Sequence, residues 1–449
     1  MKKIGLWGAT AIGLGAIIGA GIFVLSGVTI NLAGTGALIA FIITGIAAAI
    51  IALEMGELSS EMPHERGATY SFTYQAFGSE LGFVCGILMY LAFTASAAAI
   101  AIGFGSYFAS LLGISSSAYA QLFSILIIVI LSILIAKGTG KAAETDILLV
   151  SFKVLALIVF ILFAFYIGNW SGARFTGFLS KGAGGIFSAS VIAMFAYAGF
   201  QTISSITPDI EGGGRTAAKA IILSVVISGI LYVLVTGSMI SLANPLQYTG
   251  RADPLNFALT SSGAPYWLFI LIGIAAVVAT TSASLGMLLG GSMLVYQMSK
   301  DGLLPHFLKT HKGSKTPINS IIITAFFSML FLGFNNIYIV AAISNFGLLL
   351  GYLLTGFAFI KLRMMRNNYH LVYIRKELKR MNVHVEDIFE APLFPYLPIA
   401  GMLLLIAFFF GFPEVALASG IVVVLLAILI YYTLREVEHK PAVKVRFFK

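Results

Sequence analysis

Twelve stretches of predominantly apolar residues, spread along nearly the whole chain, leave it few ways to fold. They lie near 6–30, 35–60, 81–112, 119–136, 146–167, 185–207, 216–242, 265–298, 318–334, 337–362, 394–412 and 415–434. Each is about as long as a helix must be to cross a hydrocarbon layer roughly 30 Å thick. Inside lipid no water is available to backbone groups, so such a segment must close its hydrogen bonds within itself. With 59% hydrophobic and 10% charged residues and a mean hydropathy of +0.99, the chain cannot coat a water-soluble surface. The expectation is an all-α integral membrane protein of twelve transmembrane helices, with the lipid bilayer as its solvent. Lys2 and Lys3 ahead of apolar sequence look like the start of a signal peptide. No small-residue cleavage site follows, so the segment reads as an uncleaved first span.

Basic residues set the orientation. Threading twelve spans with both termini on one side leaves all but four of the 27 Lys and Arg on that side. The exceptions are Arg174, Lys181 and Arg251 in opposite loops, and Lys153 inside a span. Both termini are therefore expected in the cytoplasm, in a cell-membrane protein. The net charge of +9 reflects this topology and not a nucleic-acid partner. The single Cys85 excludes an intrachain disulfide.

The first apolar stretch is interrupted by Gly13, Gly15, Gly19 and Gly21. A glycine inside a helix costs up to about 1 kcal/mol relative to alanine, and freed backbone groups in a bilayer need partners. Broken helices at the membrane midplane are how secondary transporters expose backbone groups to substrate and coupling ion. The sixth stretch repeats the irregularity, with Phe195, Ala196, Tyr197, Ala198, Gly199 and Phe200 running into Gln201, Thr202, Ser204 and Ser205 before Pro208 and Asp209. Breaks five spans apart suit two inverted five-helix repeats. Lys153 lies in the fifth stretch, where an ammonium costs about 2.5 to 3.5 kcal/mol even on the mildest scales and marks an ion or proton pathway.

Other polar groups read less sharply. Glu54, Glu57 and Glu61 share one face of the second span and are expected to form a solvated or salt-bridged face rather than a proton relay. The histidines His64, His306, His311, His370, His384 and His439 fall in loop segments, none at zinc-ligand spacing. Gly212, Gly213 and Gly214 lack the Lys and Ser or Thr of a phosphate loop. No enzyme, metal or cofactor is expected.

In order along the chain, several motifs resemble the amino acid-polyamine-organocation superfamily of transporters. They are 15–23 in the first span; Glu57 to Pro63 with Gly67, Tyr70 and 76–78; 195–200 in the sixth; and 300–305 closing the eighth, with Pro317 opening the ninth. The resemblance implies a 5+5 inverted-repeat fold with helices 1 and 6 unwound and two further helices. On that basis 1–167 and 168–364 form the repeats, 365–393 a cytoplasmic connector, 394–434 the last two spans, and 435–449 a tail.

The same resemblance implies an amino acid permease working by alternating access. The substrate carboxylate would meet amides of Gly19, Ala20 and Gly21, where a half-helix begins. Its ammonium would meet carbonyls around Ala16, Ile17, Phe195, Ala196 and Gly199. Phe195, Tyr197 and Phe200 would line or gate the side-chain pocket. In relatives that dispense with sodium, a fifth-span lysine takes the ion's place, which assigns proton coupling to Lys153 with Thr281 and Ser282 as hydroxyl partners. Departures include His64, Glu65 and Arg66 after Pro63, Met293 where relatives carry arginine, and Gln201 where many have an acid. The alternatives are a sodium-coupled or exchange carrier of an amine or nucleobase, and a non-transporting amino acid sensor. Substrate identity and oligomeric state stay open.

Overall fold

The computed structural model describes residues 3–62, 69–137, 142–309, 317–334, 336–368 and 389–438. Among them the chain is helical, apart from one isolated parallel bridge between Ile4 and Ile210. In chain order the helices are α1 (Leu6–Ile17), α2 (Ser26–Ala33), α3 (Ala37–Glu61), α4 (Thr69–Phe77), α5 (Ser79–Leu111), α6 (Ser117–Lys137), α7 (Ala142–Ile167) and α8 (Gly182–Tyr197). There follow α9 (Gln201–Ser205), α10 (Gly213–Leu242), α11 (Pro254–Ser261), α12 (Tyr266–Lys300), α13 (Ile318–Leu332), α14 (Ile337–Asn368), α15 (Tyr396–Phe408) and α16 (Glu414–Glu438).

Nine helical stretches among the described residues are long and apolar enough to cross a membrane, so this is a multi-pass membrane protein. The first runs from Leu6 to Glu61 as one composite, holding both of the first two expected spans. Gly34, at φ +60°, closes α2, and the short 3-10 turn Gly34–Gly36 leads into α3. Two expected spans are shorter than the sequence suggests: α13 has 15 residues and α15 has 13 before a 3-10 turn ending at Gly411. Most of the polar stretch 365–392, and His64, His311, His370, His384 and His439, lie outside the described residues.

Packing separates an interior from a sheath. Helix α5 is largely buried and lies against α12, α14 and α6. By contrast α6 and α16 turn rows of Leu, Ile and Val outward, including Leu126, Ile130, Leu425 and Leu429. In water such rows would be a liability; against lipid they are the expected surface. The interior gathers α1, α3, α8 and α10, with glycines letting backbones approach. A Cβ on Gly15 would lie 2.4 Å from Val150 Cγ2 of α7, and one on Gly13 would lie 2.4 Å from Ser224 Oγ of α10.

Candidate functional site

Two helix breaks meet at the centre of this interior. Helix α1 ends at Ile17, Ile18 leaves the helical region at ψ 81°, and Gly19 N donates to Ile17 O at 2.9 Å in a tight turn. Helicity resumes at Ala20 and runs through a π-helical turn, Gly21–Leu25, into α2. Turns of this wide kind are frequent at functional sites. Similarly α8 ends at Tyr197, Ala198 is extended at ψ 140°, Gly199 sits at φ +123°, and α9 starts at Gln201.

The breaks lie backbone to backbone, in antiparallel sense. A Cβ on Gly199 would come within 2.4 Å of Ala16 O, and one on Gly21 within 2.1 Å of Ala196 Cα. Any side chain at either glycine would force the segments apart. Ala16, Ile17, Gly19, Ala20, Gly21, Phe195, Ala196, Tyr197, Gly199 and Phe200 are all described and gathered here. Apart from Ala16, which is half-buried, all are buried.

Broken ladders leave carbonyls without their helical donors; Lys153 and Tyr232 bond to them, and Tyr107 bonds to the π-helical turn alongside. In an intact helix Gly15 O would accept from Gly19 N. That amide is turned to Ile17 O, and Lys153 Nζ of α7 donates to Gly15 O at 3.4 Å. Tyr232 of α10 is placed between the breaks, its hydroxyl 2.8 Å from Ile17 O and 2.9 Å from Ala196 O. Tyr107 of α5 donates to Phe23 O in the π-helical turn at 2.5 Å and accepts from Leu255 N at the start of α11.

Tyr232 and Tyr107 escaped the sequence reading. The signal available was a hydroxyl deep in an apolar span, which must find a partner when buried. It says that an acceptor exists, without naming it.

Lys153 is fully buried. It also donates to Ser282 Oγ of α12 at 2.9 Å, so one ammonium links α7, α1 and α12. Thr281 was expected beside it. Its hydroxyl donates to Val277 O at 2.7 Å, as that of Ser282 donates to Ala279 O at 3.1 Å while accepting from Lys153.

Two of the aromatic residues make further contacts. Tyr197 donates to Phe41 O at 2.9 Å and stacks edge-on with Tyr232 at 5.2 Å; the hydroxyl thereby fastens α8 to α3. Phe200 packs on Tyr352 of α14, whose hydroxyl donates to Gln201 Oε1 at 3.2 Å. Gln201 thus bonds α14 at the place where the resemblance leads one to look for an acid.

The amides that begin the second half of the first span are those from Ala20 onward. The first N–H groups of a helix lack partners and carry its positive dipole end. Gly19 differs from expectation, because its amide is occupied by Ile17 O.

At one end of the interior, Glu57 accepts from Arg363 at 2.8 Å and from Ala391 N at 2.6 Å, and pairs with Arg366 at 3.1 Å. Arg366 also pairs with Glu61 and with Glu390. Glu57 and Glu61 are salt-bridged, as the sequence suggests. Glu54 is not paired: it is 2% exposed and has no hydrogen-bond or ion-pair partner among the described residues.

A family described as amino acid permease matches residues 4–434. The chain is 31% identical over 383 residues to the branched-chain amino acid permease BcaP of Bacillus subtilis, covering 81% of each protein. It is 27% identical to the methylthioribose transporter of the same organism, covering 96% of this chain and 93% of that one. To the cationic amino acid transporter 3, mitochondrial, of Arabidopsis thaliana it is 26% identical, over 79% of this chain and 61% of the relative. The family and these relatives are transporters and not enzymes. A match through nearly all of the helices, joined to two broken helices whose backbones touch, shows that the chain belongs to the amino acid permease family.

Proposed function

We propose that the protein is a secondary active transporter that moves a neutral amino acid across the cell membrane by alternating access, coupled to protons through Lys153. The observation that carries this reading is the antiparallel contact of the two breaks, Gly21 on Ala196 and Gly199 on Ala16. Such pairing is what two inverted five-helix repeats, 1–167 and 168–364, would produce. In this reading the composite Leu6–Glu61 counts as two spans and α13 and α15 as one each, giving twelve with both termini in the cytoplasm.

The substrate carboxylate takes amides from Ala20 and Gly21, at the positive end of a half-helix. Its ammonium takes carbonyls of the breaks that Tyr232 leaves accessible. Neither break carries an acid, and Phe195 and Phe200 are apolar, which favours an uncharged side chain. Lys153 bonds a carbonyl freed by the break itself, so gain or loss of its proton alters a contact that holds α1 in its present form.

A radiolabelled amino acid panel in proteoliposomes, with and without an inward proton gradient, tests substrate and coupling together. The expected result is concentrative uptake of an aliphatic amino acid only under the gradient. Uptake that needs sodium at fixed pH would refute proton coupling, and binding without movement in sealed vesicles would make the protein a sensor. The methylthioribose transporter aligns along almost the full chain, so an uncharged thiosugar belongs in the panel.

A further inference from the structure

Glu54 sits where a carboxylate could not remain charged without help, and none is present among the described residues. It lies on α3 where α14 and α15 close over it. A methyl group built on Gly356 of α14 would stand 3.5 Å from its Oε2, and one on Gly401 of α15 would stand 3.6 Å from its Oε1. The carboxyl group thus occupies a notch that two glycines leave open.

No donor or cation reaches it among the described residues. On α14, Arg363 and Arg366 are engaged by Glu57, Glu61 and Glu390: two guanidinium groups facing three carboxylates. Both guanidinium groups are thus taken up by the cluster around Glu57, Glu54's neighbour one helical turn along. Lys361 lies over the Phe77 ring at 4.7 Å. On α10, Arg215 and Lys219 are exposed. Helices α8, α9 and α15 contain no charged residue. Among nearby tyrosines, the Tyr197 hydroxyl is on Phe41 O, Tyr352's is on Gln201, and Tyr396 is exposed.

A buried carboxylate with neither counter-ion nor donor is far costlier than the neutral acid. We infer that Glu54 is a proton-binding site, holding its proton at neutral pH while α3 is packed against α14 and α15. It is distinct from Lys153 and goes beyond the proposed coupling. Release would break the carboxyl O–H bond and pass the proton to water, once separation of α3 from α14 and α15 hydrates the notch.

Infrared spectroscopy of the substrate-free full chain in lipid nanodiscs at neutral pH tests the site without depending on transport. Subtracting the Glu54→Gln spectrum from wild type should leave one band from the carbonyl of a protonated carboxylic acid, displaced in deuterated water. The Lys153→Ala spectrum should retain that band. Should Glu54→Gln fail to fold, Glu54→Asp keeps a titratable group and should move the band instead of deleting it. Spectra of wild type and the Glu54 variants that superimpose in this region would overturn the assignment.

Discussion

Replacing Gly21 by alanine drives a methyl group into the opposite break. The added Cβ would lie 2.1 Å from Ala196 Cα, whereas ordinary contact begins at 3.4 Å, so the segments must part by about 1.3 Å, the difference between the two. The obstacle is backbone and cannot rotate away. Overpacking of this kind costs about 1–3 kcal/mol. The amides of Ala20 and Gly21 move with the segment, and a donor that met a substrate carboxylate at about 2.9 Å then stands near 4 Å, outside hydrogen-bond range. A hydrogen bond to a charged group is worth about 1.5–3 kcal/mol, and about 1.4 kcal/mol is a factor of ten. Half-saturation for uptake should therefore rise by about 10- to 150-fold. The assay is the concentration dependence of radiolabelled amino acid uptake in proteoliposomes, normalised to folded protein. Gly286→Ala is the control, since a Cβ there meets nothing within 4 Å and should leave uptake unchanged. Wild-type half-saturation in Gly21→Ala would refute the view that the contact with Ala196 positions the donors.

Lys153→Ala should uncouple uptake from the proton gradient while the protein still reconstitutes as a folded species; uptake that still follows the gradient would count against the coupling role. Tyr232→Phe removes the hydroxyl shared by Ile17 O and Ala196 O and should destabilise by about 1–3 kcal/mol, read as a lower midpoint of thermal unfolding in detergent. Arg363→Ala strips one of two guanidinium groups from the buried Glu57 carboxylate and should cost about 1.5–3 kcal/mol, the worth of a hydrogen bond to a charged group, again read from thermal unfolding, with Glu57→Gln in the same background recovering part of the loss.

Both breaks were legible in the chain because glycine density and polar interruptions within an apolar run are local signals. Lys153 was legible for the same reason, as a lone charge in a span. Its partners were only half legible. Ser282 reaches it through the rotation of α12, and no local pattern reports that rotation when the helix is apolar nearly all round. Tyr232 was invisible as a bridge because its acceptors come from segments far away in sequence. Glu54 was misread by being grouped with Glu57 and Glu61, which are salt-bridged as expected; helical spacing puts all three on one face, while only depth separates a paired carboxylate from an isolated one. The lengths of α13 and α15 depend on where turns form, which hydropathy averages blur.

The bridge at Ile4 has a mechanical corollary. Ile4 N donates to Asp209 O at 2.9 Å, and Glu211 N donates to Ile4 O at 2.9 Å. These two bonds strap the entrance of α1 to the stretch just beyond α9, so a displacement of either half-rod on that side would be passed to the other. A strap of two backbone hydrogen bonds contributes only about 1–3 kcal/mol. It is stiff enough to keep the rods in step during small excursions and weak enough to unfasten when a larger swing separates them.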